Sequence, residues 1–550
     1  MIPGATPSLP HDRVGARAAR DTAAGSLSTG RAGAQPLALE NDVPDGRGRT
    51  RSPASITDFL HPKLALSAAH AGASGRDRLI IVSNRVAVPR EVRAGGLASA
   101  LKGALADEGG IWFGWSGETA ADPRFDVQSD PVYPIHYATL DLEPGDYDDY
   151  YTGFANRVLW PLFHYRLDLL EFRREALTAY RRVSAKFAER LAALVKPEDT
   201  IWIHDYHLIP LGAALRSRGV TARIGFFLHT PLAPPELMTS LPHHRDLMSS
   251  FSAYDLVGFQ TDTDLNSFTQ YCERELNALV DCEGRVSIGR RTFCVGTFPI
   301  SIDTEHLQTL GQRAASSSAV KRLQDSLAGR SLLVGVDRLD YSKGLPERFR
   351  AYGRLLRDCP DLQRKVMLLQ VAPPTRGDVP EYKQLRHKLE TIAGAINGEY
   401  AEPDWTPIRY LNKSYQQARL AGLYRCARVG LVTPLRDGMN LVAKEFVAAQ
   451  NPEDPAVLVL SRFAGAAQEL TEALLVNPFD PDQVVDAIRQ ALVMPLGERQ
   501  RRWQRMIEYL RAHDVTAWRK QFLQTLRRCG EQASECTDTS HDRSLRSGPA

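Results

Sequence analysis

No apolar run in this chain of 550 residues approaches the roughly 20 residues a membrane-crossing helix needs, so the sequence predicts no membrane span. Cysteine is scarce: Cys272, Cys282, Cys294, Cys359, Cys426, Cys529 and Cys536 form an odd set without CxxC spacing, which points to reduced thiols and a cytoplasmic setting. Neither sign of charge dominates, with 68 Lys and Arg against 65 Asp and Glu and a formal net charge of +3. That balance, with no basic block in the folded region, gives no reason to expect a nucleic-acid partner. There is no internal repeat at solenoid or propeller period.

What is present describes a globular protein, 43% hydrophobic and 24% charged, and too long for a single hydrophobic core. Residues 1 to 75 scatter their apolar side chains among Arg, Ala, Gly, Pro and Ser and read as a disordered extension. They lack the apolar core of a secretory signal, and Asp12, Asp21, Glu40, Asp42 and Asp45 argue against a transit peptide. Apolar runs at Leu79 to Val82, Ile201 to Ile203, Ile224 to Leu228 and Leu256 to Phe259 then alternate with helical spacing. The series resumes at Leu332 to Val336, Val366 to Val371, Val429 to Val432 and Ala456 to Leu460. Runs that are apolar throughout predict parallel strands covered on both faces by crossover helices, hence an α/β protein of two doubly wound domains. We expect these domains at residues 76–315 and 316–500, with C-terminal helices at 501–530 broken near His513-Asp514 and a disordered tail at 531–550. Val515, Trp518, Phe522 and Leu526 fall on one helical face that needs an apolar surface to cover.

In open α/β sheets, ligands bind beyond the carboxyl ends of the strands. The polar residues closing these runs are therefore the candidates: Asn84 and Arg85, His204 and Asp205, His229, Arg338 with Lys343, and Arg376. Most informative is Asp337-Arg338-Leu339-Asp340-Tyr341-Ser342-Lys343-Gly344-Leu345-Pro346, where a strand becomes a charged loop and then a helix, with Pro346 at the first helical position. Helix-terminal N–H groups with one guanidinium fork and one ammonium suit a diphosphate, although a solvated basic loop is the plain alternative. Arg436-Asp437-Gly438-Met439-Asn440-Leu441 likewise turns into a helix after its strand, and Gly95-Gly96 would let backbone approach a ligand closely. His204-Asp205-Tyr206-His207 has metal-ligand chemistry, but the sequence indicates no third and fourth ligand. Trp112, Trp115 and Trp160 suit either a core or a wall for sugar stacking.

Taken together, Ser83-Asn84-Arg85, Gly95-Gly96-Leu97, Trp112 to Glu118, Tyr150-Tyr151 through Trp160-Pro161, Trp202 to Leu208, Phe227-Leu228-His229, Arg338 to Gly344, Arg376-Gly377-Asp378 and Arg436 to Leu441 resemble the trehalose-6-phosphate synthase family. The resemblance is collinear from about residue 78 to about 525. It implies a GT-B fold, two Rossmann-like domains with a cleft between them, in the single-activity form without a phosphatase domain. It also implies retaining transfer of glucose from a nucleoside-diphosphate glucose, UDP-glucose foremost, to glucose 6-phosphate, by a front-face route in which the leaving diphosphate accepts the acceptor's proton.

By the same resemblance Arg338, Lys343, His229 and Asp205 are the catalytic residues. Gly96, Arg338, Lys343, Asp437, Gly438, Met439, Asn440, Leu441, Val442 and Glu445 bind the donor, Glu445 through the ribose. Arg85, Tyr151, Trp160, Asp205 and Arg376 bind the acceptor. No metal or other cofactor is expected, and a homo-oligomer is. The Thr230-Pro231-Leu232-Ala233-Pro234-Pro235 loop departs from the Ile-Pro-Phe-Pro of many relatives. UDP, GDP and ADP all stay open as the donor nucleotide. So do another acceptor such as glycerol 3-phosphate, as in a glucosylglycerol-phosphate synthase, and a non-catalytic sugar-phosphate sensor.

Overall fold

The computed structural model describes residues 78–86, 96–130, 132–376 and 379–544, with side chains for all but 96–99, 107–108 and 530–544. The expected N-terminal extension lies outside the described residues, as do Gly95, Gly377 and Asp378.

Ten strands form the first sheet: β1 (Leu79–Arg85), β2 (Gly110–Thr119), β3 (Phe125–Ser129), β4 (Ile135–Leu142), β5 (Thr200–His204), β6 (Arg223–Phe227), β7 (Leu256–Phe259), β8 (Leu279–Val280), β9 (Arg285–Ile288) and β10 (Arg291–Thr297). Their spatial order is β3-β4-β2-β1-β5-β6-β7-β10-β9-β8, all running in one direction except β3 at one end and β9 near the other, which are antiparallel to their neighbours. The second sheet has six parallel strands, β11 (Ser331–Val336), β12 (Val366–Val371), β13 (Ile408–Leu411), β14 (Val429–Val432), β15 (Val457–Ser461) and β16 (Leu474–Val476), in the order β13-β12-β11-β14-β15-β16. This is the doubly wound order in which the chain reverses direction beside the first strand, opening a crevice at the carboxyl ends of β11 and β14. Both faces of each sheet are buried as the apolar runs require: in β1, Ile80 and Val82 enter one core and Leu79 and Ile81 the other.

Three features differ from expectation. β2 and β4 extend the first parallel sheet beyond β1, although the glycines and tryptophans of Trp112 to Glu118 did not read as a strand. The Ser- and Ala-rich stretch around residue 315 is two helices, Thr304–Ala315 and Ser318–Leu327. The first packs on the helices Gln417–Cys426 and Leu441–Ala448, with Gly311 tight against the Ala449 backbone, so the passage to the second domain comes before residue 304. Lastly, the final helix runs from Val515 to Ser544, so residues 531–544 are helical; no proline interrupts them and each added residue gains a hydrogen bond.

That final helix begins after the expected break, where Asp514 accepts a hydrogen bond from the Ala517 N–H at 2.8 Å. It returns to the first domain. Phe522 stacks on Trp202 with ring centroids 4.6 Å apart, Trp518 lies 4.9 Å from Trp202, and Phe298 closes the cluster at 5.1 Å from Phe522. Gly225 and Gly258 make room, since a methyl on either would come within 2.8 Å and 2.7 Å of the Phe522 ring. The helix before it, Leu496–Ala512, docks on the second domain through Trp503, whose indole donates to the Val447 carbonyl at 3.0 Å. No described helix is long and apolar enough to cross a membrane.

Candidate active site

β11 ends in the loop that the sequence singled out. Asp340 caps its short turn by accepting from the Ser342 N–H at 3.0 Å, and Gly344 takes φ 64° to start the helix Leu345–Asp358, of which Pro346 is the second residue. A side chain at Gly344 would meet the Thr433 carbonyl at 2.4 Å, so the loop is wedged against the end of β14. Arg348 is buried on that helix and donates to Asp337 at 2.6 Å, Gln370 at 2.8 Å and Thr433 at 2.9 Å. This network fixes the strand ends beneath the site.

Lys343 is almost buried and its Nζ lies 2.5 Å from Asp437 Oδ2. The Asn440 amide donates to the same oxygen at 2.9 Å while its own oxygen caps the helix Leu441–Ala448 on the Ala443 N–H. Burial alone would raise the Asp437 carboxyl, but Lys343, then His164 and Asn440, outweigh it and keep it below the usual range. The Asp437–Leu441 loop crosses to the first domain, because a methyl at Gly438 would stand 2.1 Å from the His229 carbonyl oxygen. Met439 is buried behind it. Deeper on the same helix Glu445, 8% exposed, faces Gln417 at 3.3 Å and Tyr424 at 3.5 Å, and burial pushes it up to about 7. Leu441 and Val442, partly exposed, are the first residues of that helix.

The second cluster joins the two domains. Arg376, 6% exposed, lies face to face with Trp160 at 3.9 Å. It donates to Asp340 at 3.2 Å, to the Tyr382 hydroxyl at 2.5 Å and to the Tyr206 hydroxyl at 3.1 Å. Asp340 is fully buried; burial raises its pKa, but Arg376, Arg338 and Lys343 together hold it down at about 2. Arg338 is half exposed, 5.4 Å from the same Trp160 ring. Trp160 is thus a floor shared by two guanidinium groups, and its indole N–H is buried without a hydrogen-bond partner among the described residues.

From Tyr206 an aromatic wall continues through His207 at 3.9 Å, Tyr151 stacked on His207 at 5.8 Å, and Trp115 at 5.8 Å from Tyr151. Arg85 closes the row, 5.9 Å over Trp115 and packed on Gly117. Tyr151 is carried by Tyr147–Leu159, wound as a π-helix, a winding often found at functional sites. Trp112 is a core residue whose indole donates to Ser83 at 2.8 Å.

Asp205 sits at the end of β5 with φ 77°, a strained conformation for a side-chain-bearing residue, and accepts from the His229 N–H at 3.2 Å. Burial pushes it up to about 6, against backbone hydrogen bonds and the charges of Arg338 and Arg376. His229 has both ring nitrogens engaged, Nε2 with His204 at 3.1 Å and Nδ1 with Gln260 at 3.3 Å, and burial drops it to about 3. Its imidazole is therefore a neutral, half-buried strut, and its backbone carbonyl is what meets the Gly438 loop. His204 turns inward to His229 while His207 faces Tyr151, so they do not converge; no group of metal ligands exists among the described residues. Gly96 opens the helix Gly96–Glu108.

Sequence reasoning missed Asp340, Tyr206, Tyr382 and His164, whose roles come from the partners they meet. Asp340 and Tyr206 carried a signal, Asp340 lying two residues after Arg338 in a loop already suspected and Tyr206 standing between Asp205 and His207.

The sequence profile of glycosyltransferase family 20 matches residues 75–528. A trehalose-6-phosphate synthase of Sinorhizobium fredii is 50% identical over 465 residues, 82% of this chain and 100% of that one. A UDP-forming α,α-trehalose-phosphate synthase from Burkholderia xenovorans, solved with glucose-6-phosphate, is 48% identical with TM-score 0.80, covering 82% of this chain and 100% of that one. A structure titled as trehalose-6-phosphate from E. coli bound with UDP-2-fluoro glucose is 45% identical with TM-score 0.78, covering 82% of this chain and 99% of that one. With two parallel-sheet domains shared across these structures and a profile spanning both, the chain belongs to glycosyltransferase family 20.

Proposed function

We propose that the chain transfers glucose from UDP-glucose to glucose 6-phosphate, with retention, to give α,α-trehalose 6-phosphate and UDP. The observation that carries this reading is a pair of distinct cationic sites: Lys343 and Arg338 beside a helix N-terminus, and Arg376 with Arg85 along an aromatic wall. One suits a diphosphate and the other a sugar phosphate. The relatives solved with glucose-6-phosphate and with a UDP-glucose analogue support the pairing.

In this reading the C1–O bond to the diphosphate breaks as the C1–O bond to the acceptor forms on the same face. The acceptor's hydroxyl proton goes to the departing phosphate oxygen. Lys343 and Arg338 stabilise the charge that develops there, which is where fixed donors contribute most, and they make a metal unnecessary. Asp437, Gly438, Met439, Asn440, Leu441 and Val442 hold the glucosyl group and diphosphate, Gly96 lets backbone approach them, and Glu445 takes the ribose. Arg376, Arg85, Tyr151 and the Trp160 indole hold the acceptor phosphate, and Asp205 its sugar hydroxyls. We assign the enzyme to the cytoplasm and to a homo-oligomer, for which exposed Phe479, Val493 and Leu496 offer apolar surface.

Incubating the protein with glucose 6-phosphate and UDP-, GDP- or ADP-glucose in turn tests the reading. Trehalose 6-phosphate should form fastest from UDP-glucose. Faster transfer to glycerol 3-phosphate would establish the other acceptor, and no transfer from any donor would establish a sensor.

A further inference from the structure

Outside the cleft, a cavity of about 530 Å³ opens between the helices Thr304–Ala315 and Ser318–Leu327, the edge strand β13 and the helix Gln417–Cys426. That volume is in the range that holds a small organic ligand. Its walls are apolar, with Leu310, Val320, Leu369 and Leu423 among them, and no carboxylate lines it. Three arginines do: Arg313, Arg409 and Arg419. Arg409 donates to the Ser326 hydroxyl at 2.8 Å and its carbonyl at 3.2 Å, and Arg419 lies over Tyr415 at 4.6 Å, but none of the three forms an ion pair with a described residue. Elsewhere on this surface arginines pair routinely, as Arg386 does with Glu390 and Arg505 with Glu472. Unneutralised guanidinium groups around an apolar cavity are complementary to an anion on an apolar body.

We infer that this cavity is a second small-molecule site, separate from both substrate sites, for an anionic amphiphile: an apolar body bearing a carboxylate or sulfonate. The inference does not depend on which acceptor or nucleotide the enzyme uses. The cavity also has a route to the donor site. Arg419 and Leu423 lie on one face of the helix Gln417–Cys426, while Gln417 and Tyr424 on the opposite face hold Glu445. A ligand that shifts this helix changes nucleotide affinity, and the nucleotide changes the ligand's affinity by the same factor.

The probe is anilinonaphthalene sulfonate, titrated into the full chain and followed by fluorescence and calorimetry. Saturable binding of one probe per chain is expected, persisting at saturating UDP with at most a changed affinity. The double variant Arg313→Glu/Arg419→Glu, at exposed positions, should weaken binding at least tenfold while transfer without the probe stays at the wild-type rate; Arg313→Lys/Arg419→Lys should retain most of it. Complete competitive displacement by UDP would place the cavity within the donor site and overturn the inference. So would binding that the Glu variants leave unchanged, or no stoichiometric binding at all.

Discussion

Lys343 and Asp437 are each other's main charge partner, so removing either has two effects. Lys343→Ala should lower kcat about 100- to 1,000-fold by taking a fixed charge from the leaving diphosphate. It also strands a largely buried carboxylate that keeps only its Asn440 hydrogen bond, a loss bounded by the about 3–5 kcal/mol of a fully buried pair. Adding Asp437→Asn should restore thermal stability but not turnover, which separates the effects; a near-normal kcat in Lys343→Ala would remove the lysine from the leaving-group role. Glu445 makes a prediction about pH. Its pKa is raised from 4.5 to about 7, so between those values the native state binds more protons than the unfolded chain and stability falls as pH rises. Glu445→Gln should therefore raise stability by about 3 kcal/mol at about pH 8 and by almost nothing at pH 4.5 or below, while weakening UDP binding. Equal melting shifts at both pH values would contradict the raised pKa. Most of these side chains were legible as polar residues closing apolar runs. What was not legible is pairing: nothing in the spacing says that Lys343 meets Asp437, or that the ring of His229 turns away into His204 and Gln260.

At the scale of elements, the Asp437–Leu441 loop is held by contact rather than by hydrogen bonds alone. A Gly438→Ala methyl, fixed directly to the backbone, would collide with the His229 carbonyl oxygen, itself backbone, and neither can rotate away. The loop must retreat by ~1 Å, and a displacement of that size commonly costs ~100-fold in rate. We expect such a loss of kcat/KM for the donor with the melting temperature nearly unchanged; an unimpaired variant would show that the loop is not pressed on His229. The returning helix predicts the opposite pattern. Phe522→Ala, beneath Trp202, should destabilise the chain by about 3–5 kcal/mol, read from denaturant unfolding, with little change in KM. The amphipathic face of this helix and its break were visible in sequence, whereas its docking surface was not, because periodicity states that a face is apolar without naming its partner. The edge strands β3 and β8, with β9 beside β8, escaped notice for a related reason: they are short, and much of their surface meets water, so no continuous apolar run marks them.

At the scale of the molecule, Arg376 draws hydrogen-bond partners from both domains: Tyr206 from one, Asp340 and Tyr382 from the other. An acceptor phosphate bound there would add its charge to a junction already formed, so binding energy at a non-reacting group could be used for closure. Arg376→Ala and Arg85→Ala should lose most of the preference for glucose 6-phosphate over glucose, measured as the ratio of kcat/KM, with UDP binding little changed. A ratio unmoved in both variants would place the phosphate elsewhere. The returning helix also sets a schedule for synthesis. Phe298, Phe227 and Trp202 leave the ribosome ~220 to ~320 residues before Phe522 arrives to cover them, an interval of roughly 10–60 s at ordinary elongation rates. Throughout that interval the nascent first domain presents an aromatic face to the cell. A chain that stalls or terminates before Phe522 keeps that face uncovered, so such copies are natural clients for chaperones.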